Sequence, residues 1–246
     1  MSAEQGTPTL MGSFSATGWL WWATMPTLPP PPPTDAQLAS LPVFPLPRVV
    51  FFPGTALPLH VFEPRYLALV EQCLAEGSPL SVVAIRPGSE AEAPGSPPLV
   101  ETAGAGSIVH HERQPDGRFG VVLRGTCRVV LKQELVTDGP FRRFRAERVD
   151  DQAVDMRTAA EALEAINGCL RVIGARVPNL AEALFRAVSA TAAPSEVADR
   201  LAPVIFRNVA QRQALLECVD VNERLRRVLD RLSAIAASTA NAASVN

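Results

Sequence analysis

The chain has one lysine, three histidines, one tyrosine and four scattered cysteines in 246 residues, and each shortage removes a class of chemistry. Lys132 follows Arg128-Val129-Val130-Leu131, with no glycine loop to wrap the phosphates of a nucleotide, so the chain has no P-loop of the form GxxxxGK followed by Ser or Thr. The same lysine is the sole base for a Ser-Lys dyad, and no serine is near it in sequence; Ser81 or Ser107 would have to be brought to it by the fold. His60, His110 and His111 come without a GxSxG elbow. His110 and His111 are adjacent, so on a strand they point to opposite faces and are poor joint metal ligands. His60 with Cys73 is a conceivable nucleophilic pair, but Cys73 falls in an apolar helical pattern that favours inert packing. Cys73, Cys127, Cys169 and Cys218 form no CxxC pair and each falls within an apolar pattern, which reads as reduced core thiols. Neither a catalytic residue, nor a cofactor, nor a metal is expected.

Charge and long apolar runs are also scarce. A formal charge of −2 supplies no global drive toward nucleic acid or an anionic membrane, so a charge-driven partner would need a local patch. No run reaches the roughly twenty apolar residues of a membrane span, and the start lacks the basic residues and long apolar core of a secretory signal. Cytoplasmic placement is the expectation. Residues 1–40 contain no Lys or Arg, carry the run Pro29 to Pro33, and hold one strongly apolar patch, Trp19-Leu20-Trp21-Trp22. They read as a disordered proline-rich tail with polyproline II across the proline run. Two other readings stay open: the tryptophans anchor a partner, or translation starts at Met25.

What is present is a dense, patterned body, 47% hydrophobic and 20% charged, enough to bury a core as one compact domain or two small ones. Leu41 to Tyr66, LPVFPLPRVVFFPGTALPLHVFEPRY, opens it. Val43, Val49, Val50, Phe51 and Phe52 supply strand-forming bulk, and Pro42, Pro45, Pro47 and Pro53 forbid a helix. Because proline removes a ladder donor, this strand is expected at an edge, at a strand start or beside a bulge. Pro53-Gly54 reads as a turn. Pro64 suits the first position of a helix, with Glu63 beside its positive end, apolar spacing through Leu67, Val70, Cys73 and Leu74, and Gly77 as the stop.

Strand signals continue at Leu80–Arg86, Gly106–Glu112, Phe119–Arg124, Cys127–Val136 and Phe141–Val149, with Asp116-Gly117 as a hairpin turn. Pro87 to Pro98 reads as a mobile loop. The pattern predicts an antiparallel, partly closed barrel over 41–150. From about Gln152 the period turns helical: Ala159, Leu163, Ile166, Leu170 and Ile173 make one stripe, and Leu180, Leu184 and Val188 another, capped by Asn179 and Glu182. A last stripe, Leu225, Val228, Leu229, Leu232 and Ile235, opens at Asp220 and Glu223 and reads as core packing. Residues 151–236 are expected as a helical bundle packed on the barrel, and 237–246 as a frayed tail. The fold class is therefore α+β.

Leu41 to Tyr66 resembles the opening of the Lon protease amino-terminal domain: an LPxxPL run, an apolar stretch ending in FPG, and a PL-containing strand before the first helix. Its FEPRY ending is similar to the form in stand-alone Lon-domain proteins of the peptidase S16 family. The resemblance continues through Gly106-Ser107-Ile108-Val109, Asp116-Gly117 and Val121-Val122-Leu123-Arg124-Gly125, and returns in Ala193 to Leu232, so about four-fifths of the chain is covered. It implies a PUA-like pseudo-barrel followed by helices, and a non-catalytic protein that binds unfolded or degron-bearing polypeptides, as an adaptor to a separate ATP-dependent protease.

Two surfaces are candidates for such contacts. Phe51, Phe52, Phe62 and Tyr66 are the candidate lining of an apolar peptide groove, gated by the 87–98 loop, or they are core. Arg142, Arg143 and Arg145, with Arg148, surround Phe141 and Phe144 and are the candidate polyanion contact; they support the alternative of an RNA-binding barrel, or they form a solvated strand face balanced by Asp138, Glu147, Asp150 and Asp151.

Overall fold

A computed structural model describes residues 29–93, 95–177, 184–185, 188 and 192–243. The Trp19–Trp22 patch, a start at Met25 and the capping pair Asn179 and Glu182 lie outside the described residues. In chain order the elements are α1 (Asp35–Leu38), β1 (Leu41–Leu46), β2 (Ala56–Val61), α2 (Pro64–Glu76), β3 (Leu80–Ala84), β4 (Thr102–Arg113), β5 (Phe119–Leu135), β6 (Arg143–Val149), α3 (Met156–Gly174), α4 (Pro194–Ile205), α5 (Val209–Glu217) and α6 (Val221–Ala243). Both tail boundaries move. Thr34 and Gln37 form a reciprocal capping box that starts α1 inside the stretch assigned to the tail, and Leu38 is buried. At the other end α6 runs on through Ala243.

The six strands form one sheet in the order β2-β5-β4-β3-β1-β6, and β6 pairs back onto β5. β5, β4, β3, β1 and β6 thus close a ring, and β2 extends it along the first half of β5. β5 can serve both partners because it bends. The Gly125-Thr126 step, which reads as a gap between two strands, is a bulge inside one 17-residue strand, with β2 pairing before it and β6 after it. Leu41, Val43, Val83, Ala103, Ala105, Cys127, Val129, Leu131 and Ala146 draw on every ring strand and share one apolar cluster, which is the ring interior. The three alanines keep that space narrow.

β1 departs from the antiparallel expectation. It pairs parallel to β3 on one side and antiparallel to β6 on the other, so it is not an edge strand. Its two prolines are tolerated because each pairing is partial. Val43 donates to the Arg142 carbonyl, which places the odd positions of β1 toward β6 and the even ones toward β3. Pro45 therefore faces β6 where that pairing, confined to Leu41 and Pro42, has ended; Pro42 faces β3 before that register begins at Val43. Neither missing donor falls on a ladder bond. The true edge is β2, and Gly125 donating to the Thr55 carbonyl puts Pro58 on its outward side, where it blunts pairing with another chain.

Val49 to Phe52, strand-like in composition, has no ladder partner among the described residues, yet it alternates: Val49 and Phe51 enter the cluster around α2, and Val50 and Phe52 enter the cluster of the helices. It crosses the ring at glycines. A Cβ on Gly104 would stand 1.9 Å from the Phe51 carbonyl oxygen, and one on Gly125 would stand 2.2 Å from that of Phe52. The crossing ends at Pro53-Gly54, a turn with Gly54 at φ 71°, as the sequence indicates.

α2 spans the expected Pro64–Glu76, with Pro64 at its start and Gly77 in the left-handed conformation at its end. The stripe of α3 is buried at Ala159, Ile166, Leu170 and Ile173, and that of α6 at Leu225, Val228 and Leu232. Both belong to one cluster with α4 and α5, in which α3 and α4 pack on α6. Asn222 fastens the start of α3 to that of α6 by bonding both the amide and the carbonyl of Asp155 at 3.1 and 3.0 Å. Gly104→Ala or Gly125→Ala forces the crossing segment off the ring, and each is expected to cost roughly 3 kcal/mol or more in urea unfolding.

Candidate functional site

The aromatic set divides by depth. Phe51 and Phe52 are 2% and 0% exposed and sit in different apolar clusters. Tyr66 is also buried, stacked on Phe44 at 4.2 Å between ring centroids, and its hydroxyl donates to the Pro45 carbonyl at 3.5 Å. That carbonyl is one that the short β6 pairing leaves without a strand partner. Burial pushes the Tyr66 hydroxyl up to about 12. Phe62 is half-buried, between β2 and α2, with the Arg118 guanidinium 6.0 Å from its ring centre. The four rings therefore share no open surface in this conformation.

The 87–98 loop, expected to be mobile, is held along its second half. Arg65 donates to the carbonyls of Ala93 and Gly95 at 2.7 and 2.9 Å, and Arg142 donates to that of Pro97 at 2.7 Å. Arg142 also grips Glu134 through two bonds at 2.6 and 2.7 Å, which hold that carboxyl below the usual carboxylate range. Arg143 donates to the Ser40 carbonyl at 2.8 Å, and Arg148 pairs with Asp150 at 2.9 Å. Arg145 is exposed beside a cavity of about 520 Å³ between α1 and β6, also lined by Asp35, Glu147 and Asp150. Most of the basic cluster is thus spent on the protein's own oxygens.

The sparse catalytic residue types are equally committed. Lys132 is on the surface, 3.0 Å from Glu147, while the Ser81 hydroxyl is buried and donates to the Gly104 carbonyl. His111 is exposed and His110 half-buried, and among the described residues no three His, Cys, Asp or Glu side chains converge as a metal site. Burial pushes the Cys73 thiol up to about 11, the opposite of an activated thiolate. Burial, and then the Arg118 charge, lower the His60 pKa, which favours the neutral imidazole.

The most heavily built polar site was not foreseen. Arg128, 4% exposed, donates from Nε to the Leu216 carbonyl at 2.9 Å and from both terminal nitrogens to the Asp199 carboxylate of α4. Arg224 of α6 grips Asp151 at 2.7 and 2.9 Å, donates to the Cys218 carbonyl at 2.8 Å, and lies 3.4 Å from Asp199. Two arginines and two aspartates, balanced in charge, join β5, the connector after β6, α4 and α6. Burial raises the Asp199 carboxyl even though both guanidiniums pull it down. The signals were charges inside apolar patterns, Cys127-Arg128-Val129 and Ala198-Asp199.

The family model of the ATP-dependent protease La (LON) substrate-binding domain matches residues 40–234, from the start of β1 into α6. The chain belongs to that family. It is 29% identical over 78% of its length to Lon protease 2 of Myxococcus xanthus, and 31% identical over 84% to the Lon protease of Chloroflexus aurantiacus. It covers 23% and 24% of those proteins, so it spans about a quarter of the length of the curated relatives it matches. A Lon N-terminal domain protein from Xanthomonas campestris superimposes at a TM-score of 0.53, with 26% identity, over 78% of this chain and 97% of that one. The N-terminal domain of the Mycobacterium avium complex Lon protease shares the fold at a TM-score of 0.61, with 21% identity, over 79% of this chain and 98% of the other. Within Lon, the match takes in the substrate-binding domain and none of the ATPase or protease portion. Among the described residues no helix is long and apolar enough to cross a membrane.

Asp199→Ala leaves Arg128 charged and buried beside Arg224, and it is expected to cost about 3–5 kcal/mol in chemical denaturation. A thiol reagent at pH 8 is expected to label Cys169 and Cys218 in the folded protein, and Cys73 and Cys127 only on unfolding.

Proposed function

We propose that this Lon substrate-binding domain recognises unfolded or degron-bearing polypeptides and presents them to a separate ATP-dependent protease without cutting them itself. The observation that carries the reading is the match of residues 40–234 to a substrate-binding domain, beside a 246-residue sequence with one lysine and no P-loop. In this reading the strand ring is a PUA-like pseudo-barrel, residues 41–150 and 151–236 are a barrel domain and a helical bundle, and the compartment is the cytoplasm.

Phe62 is the aromatic contact in this reading, because part of its ring is reachable and Arg118 beside it can follow an acidic or aromatic segment. Phe51, Phe52 and Tyr66 act from within the core, by fixing the crossing segment and the start of α2. The RNA reading receives no comparable support, since Arg142 and Arg143 are bonded to Glu134, Pro97 and Ser40.

Fluorescence anisotropy with a reduced, carboxymethylated polypeptide and its native form tests the proposal. The unfolded form is expected to bind at least tenfold more tightly, and Phe62→Ala to weaken it roughly tenfold, as for loss of an aromatic anchor. Equal affinity for the two forms would sink the reading.

A further inference from the structure

A second concentration of charge, apart from the buried network, lies where β5 meets α4. Arg124 on β5 is paired in register with Ala56 of β2 and Ser107 of β4. The next residue, Gly125, accepts a hydrogen bond from the Gly54 amide and donates one to the Thr55 carbonyl, both at 2.9 Å. The Pro53-Gly54 turn is thereby fixed against the strand beside Arg124. Arg200 of α4 lies over the same turn: its Nε is 3.3 Å from the point where a Cβ on Gly54 would stand. With no side chain on Gly54, the guanidinium lies directly over the turn that is bonded to Gly125, the neighbour of Arg124.

The two arginines share one counter-charge. Glu196 pairs with Arg200 at 3.4 Å and is 46% exposed, and it is the carboxylate whose field reaches Arg124. The Arg200 Nε is shielded from water and makes no hydrogen bond. Burial and the Arg200 charge both weaken the hold of Arg124 on its proton. Two half-buried guanidiniums facing one exposed carboxylate leave an excess positive charge and an unfilled donor, in contrast to the balanced network around Asp199. A planar guanidinium is shaped to bind an oxyanion through two parallel hydrogen bonds.

We propose that Arg124 and Arg200 form an oxyanion-binding site in the seam between β5 and α4, which accepts a carboxylate or a phosphate group. The site also explains why Gly54 faces α4: any side chain there meets Arg200. It is independent of polypeptide recognition, so failure of the unfolded-chain experiment leaves it standing, and its own failure leaves that reading untouched.

The test is thermal unfolding of the full 246-residue chain at constant ionic strength, with chloride replaced stepwise by inorganic phosphate or by N-acetyl-aspartate amide. Binding to the folded state raises Tm with ligand concentration. The wild type is expected to show a saturating rise of several degrees, and Arg124→Gln and Arg200→Gln only the shallow, linear rise that phosphate gives any protein by exclusion from its surface. Because either variant removes one of two neighbouring like charges, both are expected to fold and to be no less stable than wild type in chloride. A saturating rise with the aspartate amide identifies a carboxylate site, and one with phosphate alone identifies a phosphate site; each supports the proposal. Parallel linear rises in all three proteins overturn it.

Discussion

Arg128 carries a charge that the interior of a protein does not accept without partners, and the arrangement of the whole chain can be traced from how that charge is met. Its guanidinium leaves β5 and is answered by Asp199 on α4 and the Leu216 carbonyl in the last turn of α5. Asp199 in turn lies within reach of Arg224 on α6, which holds Asp151 in the connector after β6. Each member would be costly alone, since an ion desolvated without a partner loses several kcal/mol of hydration. The helices cannot slide on the ring without leaving one of the four exposed to that cost. Apolar packing holds the layers together, and the charges select one register for them.

The second constraint is steric. The Val49–Phe52 segment presents alternate residues to two different cores, and it passes over the ring only because Gly104 and Gly125 have no side chains there. Phe52, fully buried among helical residues, is worth on the order of 2–3 kcal/mol of burial, and it acts from a segment with no strand partner of its own. The crossing and the ion network therefore fasten the same two layers at different points, one by shape and one by charge. The segment also sets the Pro53-Gly54 turn against β5 beside Arg124, and Arg200 lies over that turn.

For a recognition domain, this means that the residues most suggestive of binding in the sequence are largely committed to architecture. Tyr66 fills a carbonyl left open where β6 stops short, Arg142 and Arg65 hold the 87–98 loop, and Lys132 pairs with Glu147 on the surface. What is left reachable is modest: Phe62 beside Arg118, Arg145 on β6, and the charge at Arg124 and Arg200. Arg124 and Arg200 sit on β5 and α4, and Phe62 in the short link between β2 and α2.

Much of this was legible from local pattern. The LPxxPL and FEPRY motifs, the turns at Pro53-Gly54 and Asp116-Gly117, the helix from Pro64 to Glu76 and the stripes of α3 and α6 depend on neighbours within one turn or one strand, where propensity, capping and periodicity act directly. By themselves these residues determined the α+β class, the family and the lack of a P-loop. They could not determine that β1 is flanked on both sides, because that rests on where two partial ladders happen to end, nor that Gly125-Thr126 is a bulge, because a bulge exists only relative to a partner strand. The pairing of Arg128 with Asp199, 71 residues apart, was decided by tertiary structure alone. A charge within an apolar run announces that a partner is required, but only the packed helices show which residue supplies it.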